Sequence, residues 1–202
     1  MSDAPIVLLL SGVNLNLLGD REPEIYGTAT LADHVATATS AAQAHGLVIE
    51  HLQSNAESEL VEAIHGARRR CAAIIFNPGA FTHYAWSLHD ALAAFEGPVV
   101  ELHLSNPAAR EEWRKTSVVA PVATGTIAGF GGDGYRLAVD AVELHVGPCA
   151  QHNDTDSRAH QAHSSLCPWI CRIGTTCVIH RLKHVQIKLS HLDVFVNIDR
   201  FV

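Results

Sequence analysis

Ile6-Val7-Leu8-Leu9-Leu10 followed by Ser11-Gly12-Val13-Asn14-Leu15-Asn16-Leu17-Leu18-Gly19 decides the fold. A short, wholly apolar run has no polar face to turn to water, so it reads as a strand buried on both sides, as in a parallel sheet. The polar, glycine-framed segment behind it continues through Asp20-Arg21-Glu22-Pro23-Glu24-Ile25-Tyr26-Gly27. In open α/β sheets ligands lie beyond the carboxyl ends of the strands, which places this segment in active-site territory. With an arginine and a tyrosine five residues apart, it is expected to close over a small anionic ligand.

The same alternation continues downstream. Further strand-like runs are expected at Leu47–His51, Ala72–Phe76, Pro98–His103 and Val118–Ala120, the last with a continuation toward Ile127. Helical spacing fills the gaps. It covers Thr30–His45 (Leu31, Val35, Ala38, Ala42), a helix opening at Ser58 (Leu60, Ala63, Ile64, Ala67), Tyr84–Phe95, a short Pro107–Lys115 and Tyr135–Val146. Strand–helix alternation implies right-handed crossovers and a parallel sheet covered on both faces. Five strands in this length suit a flavodoxin-like α/β fold of order 2-1-3-4-5, which brings the ends of strands 1, 3 and 4 together.

Composition narrows the function classes. The chain has 202 residues and a net charge of −7 without a basic stripe, which argues against nucleic acid as a partner. No apolar run is long enough for a bilayer and no secretory leader is recognisable, so neither membrane association nor export is expected and the cytoplasm is the expected location. Beyond Gly147-Pro148 the composition shifts, alanine stops at Ala162, and histidine and cysteine become frequent. Residues 1–147 therefore read as one flavodoxin-like domain and 148–202 as an atypical extension. In the extension Gln151–Ser165 reads as a linker, and alternation at Val185, Ile187, Leu189 and at Leu192, Val194, Val196 reads as two short strands.

Polar chemistry collects in three strand-end loops. The first supplies Asn14, Arg21 and Tyr26; the third strand runs into Asn77-Pro78-Gly79-Ala80-Phe81-Thr82-His83. The fourth runs through Glu101-Leu102-His103-Leu104-Ser105-Asn106 to Arg110-Glu111-Glu112-Trp113-Arg114. Period-2 alternation puts Glu101 and His103 on one side of the strand, where the carboxylate can orient the imidazole. Amides at Leu104 and Ser105 offer donors to a carboxylate. Arg110 and Arg114 line one face if the segment is helical, or form a solvated face with Glu111 and Glu112. The set suits a small polyhydroxylated acid and has no metal-type clustering.

Gly12 to Gly19 with Arg21-Glu22-Pro23 and Tyr26-Gly27, Gln53-Ser54-Asn55, Asn77 to Ala80 with Thr82-His83, and Glu101 to Asn106 with Arg110-Glu111-Glu112 closely resemble the signature of type II 3-dehydroquinate dehydratases. The resemblance runs from about residue 6 to 146, in order and in spacing. It implies cofactor-free dehydration of 3-dehydroquinate to 3-dehydroshikimate through an enolate, in a homo-oligomer, usually a dodecamer. In the roles it implies, Tyr26 is the base, Arg21 favours its phenolate, Asn14 positions a water at the enolate oxygen, and Glu101 orients the acid His103. Asn77, His83, Ser105, Arg114 and the Leu104 amide hold substrate, and Asp90 reaches a neighbouring subunit's site. Ser11, Val13 and Phe81 depart from the asparagine, proline and tyrosine common at those positions; Val13 lifts a φ restraint from the first loop.

Two other signals compete. Gly129-Phe130-Gly131-Gly132-Asp133-Gly134 matches a dinucleotide fingerprint in form, but it follows the last strand rather than the first, so close backbone packing explains it better. Cys167, Cys171, Cys177 and His180 could ligate zinc. That makes a non-catalytic metal-binding or interaction module carried by the tail the alternative reading; an extension foreign to the family is the other.

Overall fold

A computed structural model describes residues 4–20, 25, 27–146, 184–189 and 192–197. The chain divides into two compact units, residues 1–154 and 155–202. In the first unit five strands, β1 (Ile6–Ser11), β2 (Val48–Gln53), β3 (Ala73–Asn77), β4 (Val99–His103) and β5 (Gly125–Ala128), form one parallel sheet of order β2-β1-β3-β4-β5. Among the described residues they are accompanied by the α-helices α1 (Leu31–Ala44), α2 (Glu57–Ala67), α3 (Trp86–Ala93) and α4 (Asp133–Val146). This is the doubly wound, flavodoxin-like architecture expected from the alternation.

The apolar continuity of β1 follows from its position. Val7 and Leu9 pack with Ala38 and Ala42 of α1 and Ala138, Val139 and Val142 of α4. Leu8 and Leu10 point the other way, against Leu60 and Ile64 of α2 and Leu88 and Leu92 of α3. A strand sandwiched in this way has no solvent face, and each Leu or Ile fully enclosed contributes about 1.5–3 kcal/mol. Helix α1 begins where Thr30 and Asp33 cap each other: Thr30 N–H donates to Asp33 Oδ2 at 2.8 Å, and Asp33 N–H to Thr30 Oγ1 at 3.3 Å.

Two expected elements differ. Val118–Ala120 is not a strand. Val118 N–H donates to the Thr82 carbonyl at 2.7 Å, Val118 and Val119 enter the core beside α2 and α3, and Ala120–Val122 makes a 3-10 turn. The apolar pair is buried by a loop, and the fifth strand starts only at Gly125. The expected Pro107–Lys115 helix is two 3-10 turns, Pro107–Ala109 and Glu112–Lys115, separated by extended backbone at Arg110 and Glu111. A nine-residue helix is marginal alone, and here Asn106 caps Ala108 N–H while Glu111 draws in both arginines. The third helix is also shorter than expected, because Gly79–His83 coils into a 3-10 helix ahead of it.

In the second unit β6 (His184–Leu189) and β7 (Leu192–Asn197) pair antiparallel, from His184 opposite Asn197 to Leu189 opposite Leu192. These are the two strands that the alternation implied. The expected linker and the four candidate zinc ligands of the tail lie outside the described residues.

Candidate active site

The carboxyl ends of β1, β3 and β4 meet in register, Ser11 beside Asn77 and Phe76 beside Glu101. Above them lies a cleft bordered by Asn14 from the first loop, Asn77 and His83 from the second, and His103, Leu104 and Ser105 from the third. Arg110 and Arg114 complete its rim. The expected residues of these three loops thus converge, wherever they fall among the described residues. Arg21 and Tyr26 lie outside the described residues. Asp90 stands exposed on α3 and is not on the border of this chain's own cleft.

The first two loops touch backbone to backbone. Gly12 N–H donates to the Asn77 carbonyl at 2.7 Å, and a Cβ on Gly12 would stand 2.2 Å from the Pro78 oxygen. Opposite, Gly79 has φ +59° and no room for a side chain, since a Cβ would meet the Val13 oxygen at 2.7 Å. Asn14 sits at φ 64°, a left-handed conformation that asparagine tolerates better than most residues. Asn55 Oδ1 accepts its N–H at 2.8 Å, and Gln53 Nε2 donates to the Gly12 carbonyl at 3.3 Å. The Gln53-Ser54-Asn55 stretch therefore clamps the first loop. Val13, where a proline is common, is anchored by packing beside the core.

His83 donates through Nδ1 to the Thr116 carbonyl at 2.7 Å and sets its ring edge-on to Trp113, with centroids 4.9 Å apart. The bond fixes the proton on Nδ1. The guanidinium of Arg114 lies over the same Trp113 ring, 4.1 Å from its centroid, a cation–π contact. Its Nε donates to Glu111 Oε2 at 2.7 Å, and Arg110 Nε approaches that oxygen at 3.4 Å. Among the described residues both arginines gather at this one carboxylate, which makes a rim rich in guanidinium donors suited to an anion. Both line the cleft although they do not share a helix.

At the floor, Glu101 is completely buried, and its Oε1 accepts Nε2–H of His103 at 2.8 Å. Thr82 Oγ1 donates to Oε1 at 2.5 Å; Ser117 Oγ lies 3.0 and 3.1 Å from the two oxygens, and Thr126 Oγ1 donates to Oε2 at 3.4 Å. Burial by itself raises the affinity of this carboxyl for a proton; the bonds from His103, Thr82 and Ser117 outweigh it and hold Glu101 below the ordinary carboxylate range. An anion accepting Nε2–H fixes the imidazole's tautomer and aim. Thr82 and Trp113 stand in the quoted stretches beside His83 and Arg114, but their partners are not legible there: nothing in the local pattern links Thr82, Ser117 or Thr126 to Glu101, or Trp113 to His83.

The glycine-rich stretch after β5 serves packing. A Cβ on Gly132 would meet the His34 ring at 2.8 Å, and one on Gly134 would meet Leu102 Cδ1 at 2.9 Å. Gly129 and Gly131 donate to the carbonyls of His103 and Leu104, which ties down the third loop.

Comparison with known proteins agrees with this geometry. Residues 5–143 match the family described as dehydroquinase class II. The 3-dehydroquinate dehydratase of Xanthomonas euvesicatoria is 56% identical over 137 residues, which cover 67% of this chain and 93% of that protein. The 3-dehydroquinate dehydratase 2 of Pseudomonas putida is 52% identical over 135 residues, 67% of this chain and 91% of that protein. Among solved structures, the type II dehydroquinase from Propionibacterium acnes is similar at a TM-score of 0.67 and 42% identity, covering 71% of this chain and 98% of that one. A family match over this much of the chain, joined to the same fold and a cleft with the expected residues at three strand ends, establishes that the chain belongs to the class II dehydroquinase family.

Proposed function

We propose that Tyr26 and His103 divide between them the two proton transfers by which this hydro-lyase dehydrates 3-dehydroquinate to 3-dehydroshikimate, a step of the shikimate pathway. The observation that carries the assignment is the Glu101–His103 pair at the floor of a cleft rimmed by Arg110 and Arg114. Tyr26 as phenolate removes the proton α to the ketone, giving an enolate. The β-hydroxyl then takes a proton from His103 and leaves as water. Ionising an ordinary phenol at neutral pH costs about 4 kcal/mol; Arg21, five residues away, reduces that cost by favouring the anion. Asn14 positions the water that hydrogen-bonds the enolate oxygen. Since Nε2–H of His103 is committed to Glu101, the acid is the imidazolium, and the transferred proton leaves from its Nδ1 to give the neutral Nε2–H tautomer. Asn77, His83, Ser105, Arg114 and the Leu104 amide hold the carboxylate and ring hydroxyls.

Residues 1–147 form the catalytic domain and 148–202 an extension. The enzyme acts as a homododecamer in which Asp90 reaches a neighbouring subunit's site, and it works without a cofactor in the cytoplasm. No helix among the described residues is long and apolar enough to cross a membrane. The tail's alternative role as a metal-binding module would rest on Cys167, Cys171, Cys177 and His180, which lie outside the described residues.

The test is ultraviolet detection of the conjugated enone carboxylate formed from 3-dehydroquinate. Full-length protein is expected to produce it, and Tyr26→Phe is expected to abolish turnover while substrate still binds. Retained turnover in Tyr26→Phe would remove that residue from the role of base.

A further inference from the structure

Glu101 is connected to the rest of the protein by more than His103. Thr82 reaches it from the 3-10 helix before α3, Ser117 from the loop beyond Lys115, and Thr126 from β5. Ser117 Oγ also accepts the N–H groups of Val119 at 3.1 Å and Ala120 at 2.8 Å. With its acceptor capacity taken by these amides, the Ser117 proton is free to point at the carboxylate. Thr82 is 1% exposed, its Oγ1 lies 2.8 Å from Ser117 Oγ, and its carbonyl holds Val118 N–H. The loop carrying Ser117 is thus pinned both to Thr82 and to its own turn. Neither hydroxyl borders the substrate cleft; both face an adjoining opening behind the dyad, which shares His103, Pro107 and Arg114 with the cleft.

We propose that Ser117 and Thr82 are positioning residues for the dehydration: their hydroxyls hold Glu101 as the anion that keeps His103 aimed at the leaving group. The proposal rests on the reading of His103 as the acid. A fully buried carboxylate is expensive to ionise unless donors surround it. The dyad bond supplies one, and His103 borders the cleft, where substrate competes for its alignment. The hydroxyls supply the others from behind, from residues that do not border the cleft. Among the described residues, the charged or titratable groups facing Glu101 are His103 from its own strand and, across the rear opening, Arg114 and Lys115. Its registered strand neighbours, Phe76 on β3 and Thr126 on β5, bring no charge. Arg114 is engaged with Glu111 and Lys115 with Glu112, so the near donors to Glu101 are the three hydroxyls and His103.

The sign of the effect follows. Removing a hydroxyl that favours the anion makes Glu101 take up a proton at higher pH, so the acid limb of the kcat profile moves upward. A hydrogen bond to a charged group corresponds to a shift of about one pH unit. The experiment compares full-length wild type, Ser117→Ala, Thr82→Val, Ser117→Thr and His103→Ala across pH, with far-UV circular dichroism and light scattering as checks of fold and assembly. Ser117→Ala and Thr82→Val are each expected to raise the acid limb with KM unchanged, and Ser117→Thr to restore the wild-type profile. Thr82→Val preserves shape, so it carries the test if Ser117→Ala fails to fold. An acid limb that stays in place in a folded variant, or an effect confined to KM, overturns the proposal. Full turnover in His103→Ala instead overturns the reading beneath it.

Discussion

On the α2/α3 face of the sheet's carboxyl end, Glu101 is enclosed and meets four donor side chains. On the α1/α4 face at the same height, Asn77, Tyr135 and His34 are just as enclosed. Yet Asn77 Nδ2, Tyr135 Oη and His34 Nε2 lack a hydrogen-bond partner among the described residues. His34 and Tyr135 instead stack in parallel with centroids 5.0 Å apart. Burial pushes the Tyr135 phenol up to about 12; Asn77 and Ser11 lie near enough to oppose that push without forming an aligned bond. The two faces show that an interior demands more satisfaction of a charged group than of a neutral one. A buried anion is tolerated only when its lone pairs are filled, whereas a neutral hydroxyl left unmatched costs about 1–3 kcal/mol and can be carried by the surrounding packing.

The largest expected effect tests the charged side of that contrast. Glu101→Gln keeps the shape and removes the charge, turning one oxygen acceptor into an amide donor among Thr82, Ser117 and His103. Turnover is expected to fall by roughly 100-fold or more, the scale of a lost general acid. An enzyme that keeps wild-type kcat would show that the dyad needs no anion.

A smaller effect tests the neutral side. Tyr135→Phe deletes an enclosed hydroxyl without a partner while keeping the ring against His34, so stability is expected to rise by about 1 kcal/mol with kcat unchanged. A lower denaturant midpoint would mean that Oη is satisfied after all, and the contrast between the faces would disappear.

The smallest effect separates the faces by pH. His34 is held below its ordinary value of 6.5, burial being the main cause and Asp33 opposing it. Its contribution is present above that value and is lost as pH falls through 6.5 toward the lowered folded value, because the unfolded chain takes up the proton first. His51, also lowered by burial, loses stability in the same window. Glu101 is likewise lowered from 4.5, so its contribution begins to be lost only below that pH. Denaturant midpoints measured against pH are expected to fall in two steps. His34→Leu should weaken the upper step and leave the lower one; an upper step of undiminished size would remove His34 from it.

Much of this was legible in the chain. The apolar run at β1, the period-2 pairing of Glu101 with His103 and the helical spacing of α1, α2 and α4 survive because local pattern and burial agree there. What sequence reading misplaced were the segments where tertiary contacts outweigh local pattern. Val118 and Val119 look like a strand but are buried by a loop pinned at Thr82. Arg110 and Arg114 look like neighbours on a helix but are drawn together by Glu111 across extended backbone. The glycine-rich stretch after β5, by contrast, packs as its place after the last strand implied: its glycines make room for His34 and Leu102.

The strands and the loops that carry the chemistry were legible in the chain, because burial on two faces leaves a continuous apolar run between helical periods, a signature that needs no knowledge of the partner. What surrounds each polar group was set by packing between distant segments. The shell of Thr82, Ser117 and Thr126 on Glu101 brings together residues 82, 101, 117 and 126 across three loop or strand junctions. The grip of Trp113 on both His83 and Arg114 is of the same kind. Hydrogen bonds are short-ranged and directional, so which donors reach a carboxylate is fixed only once the chain has packed.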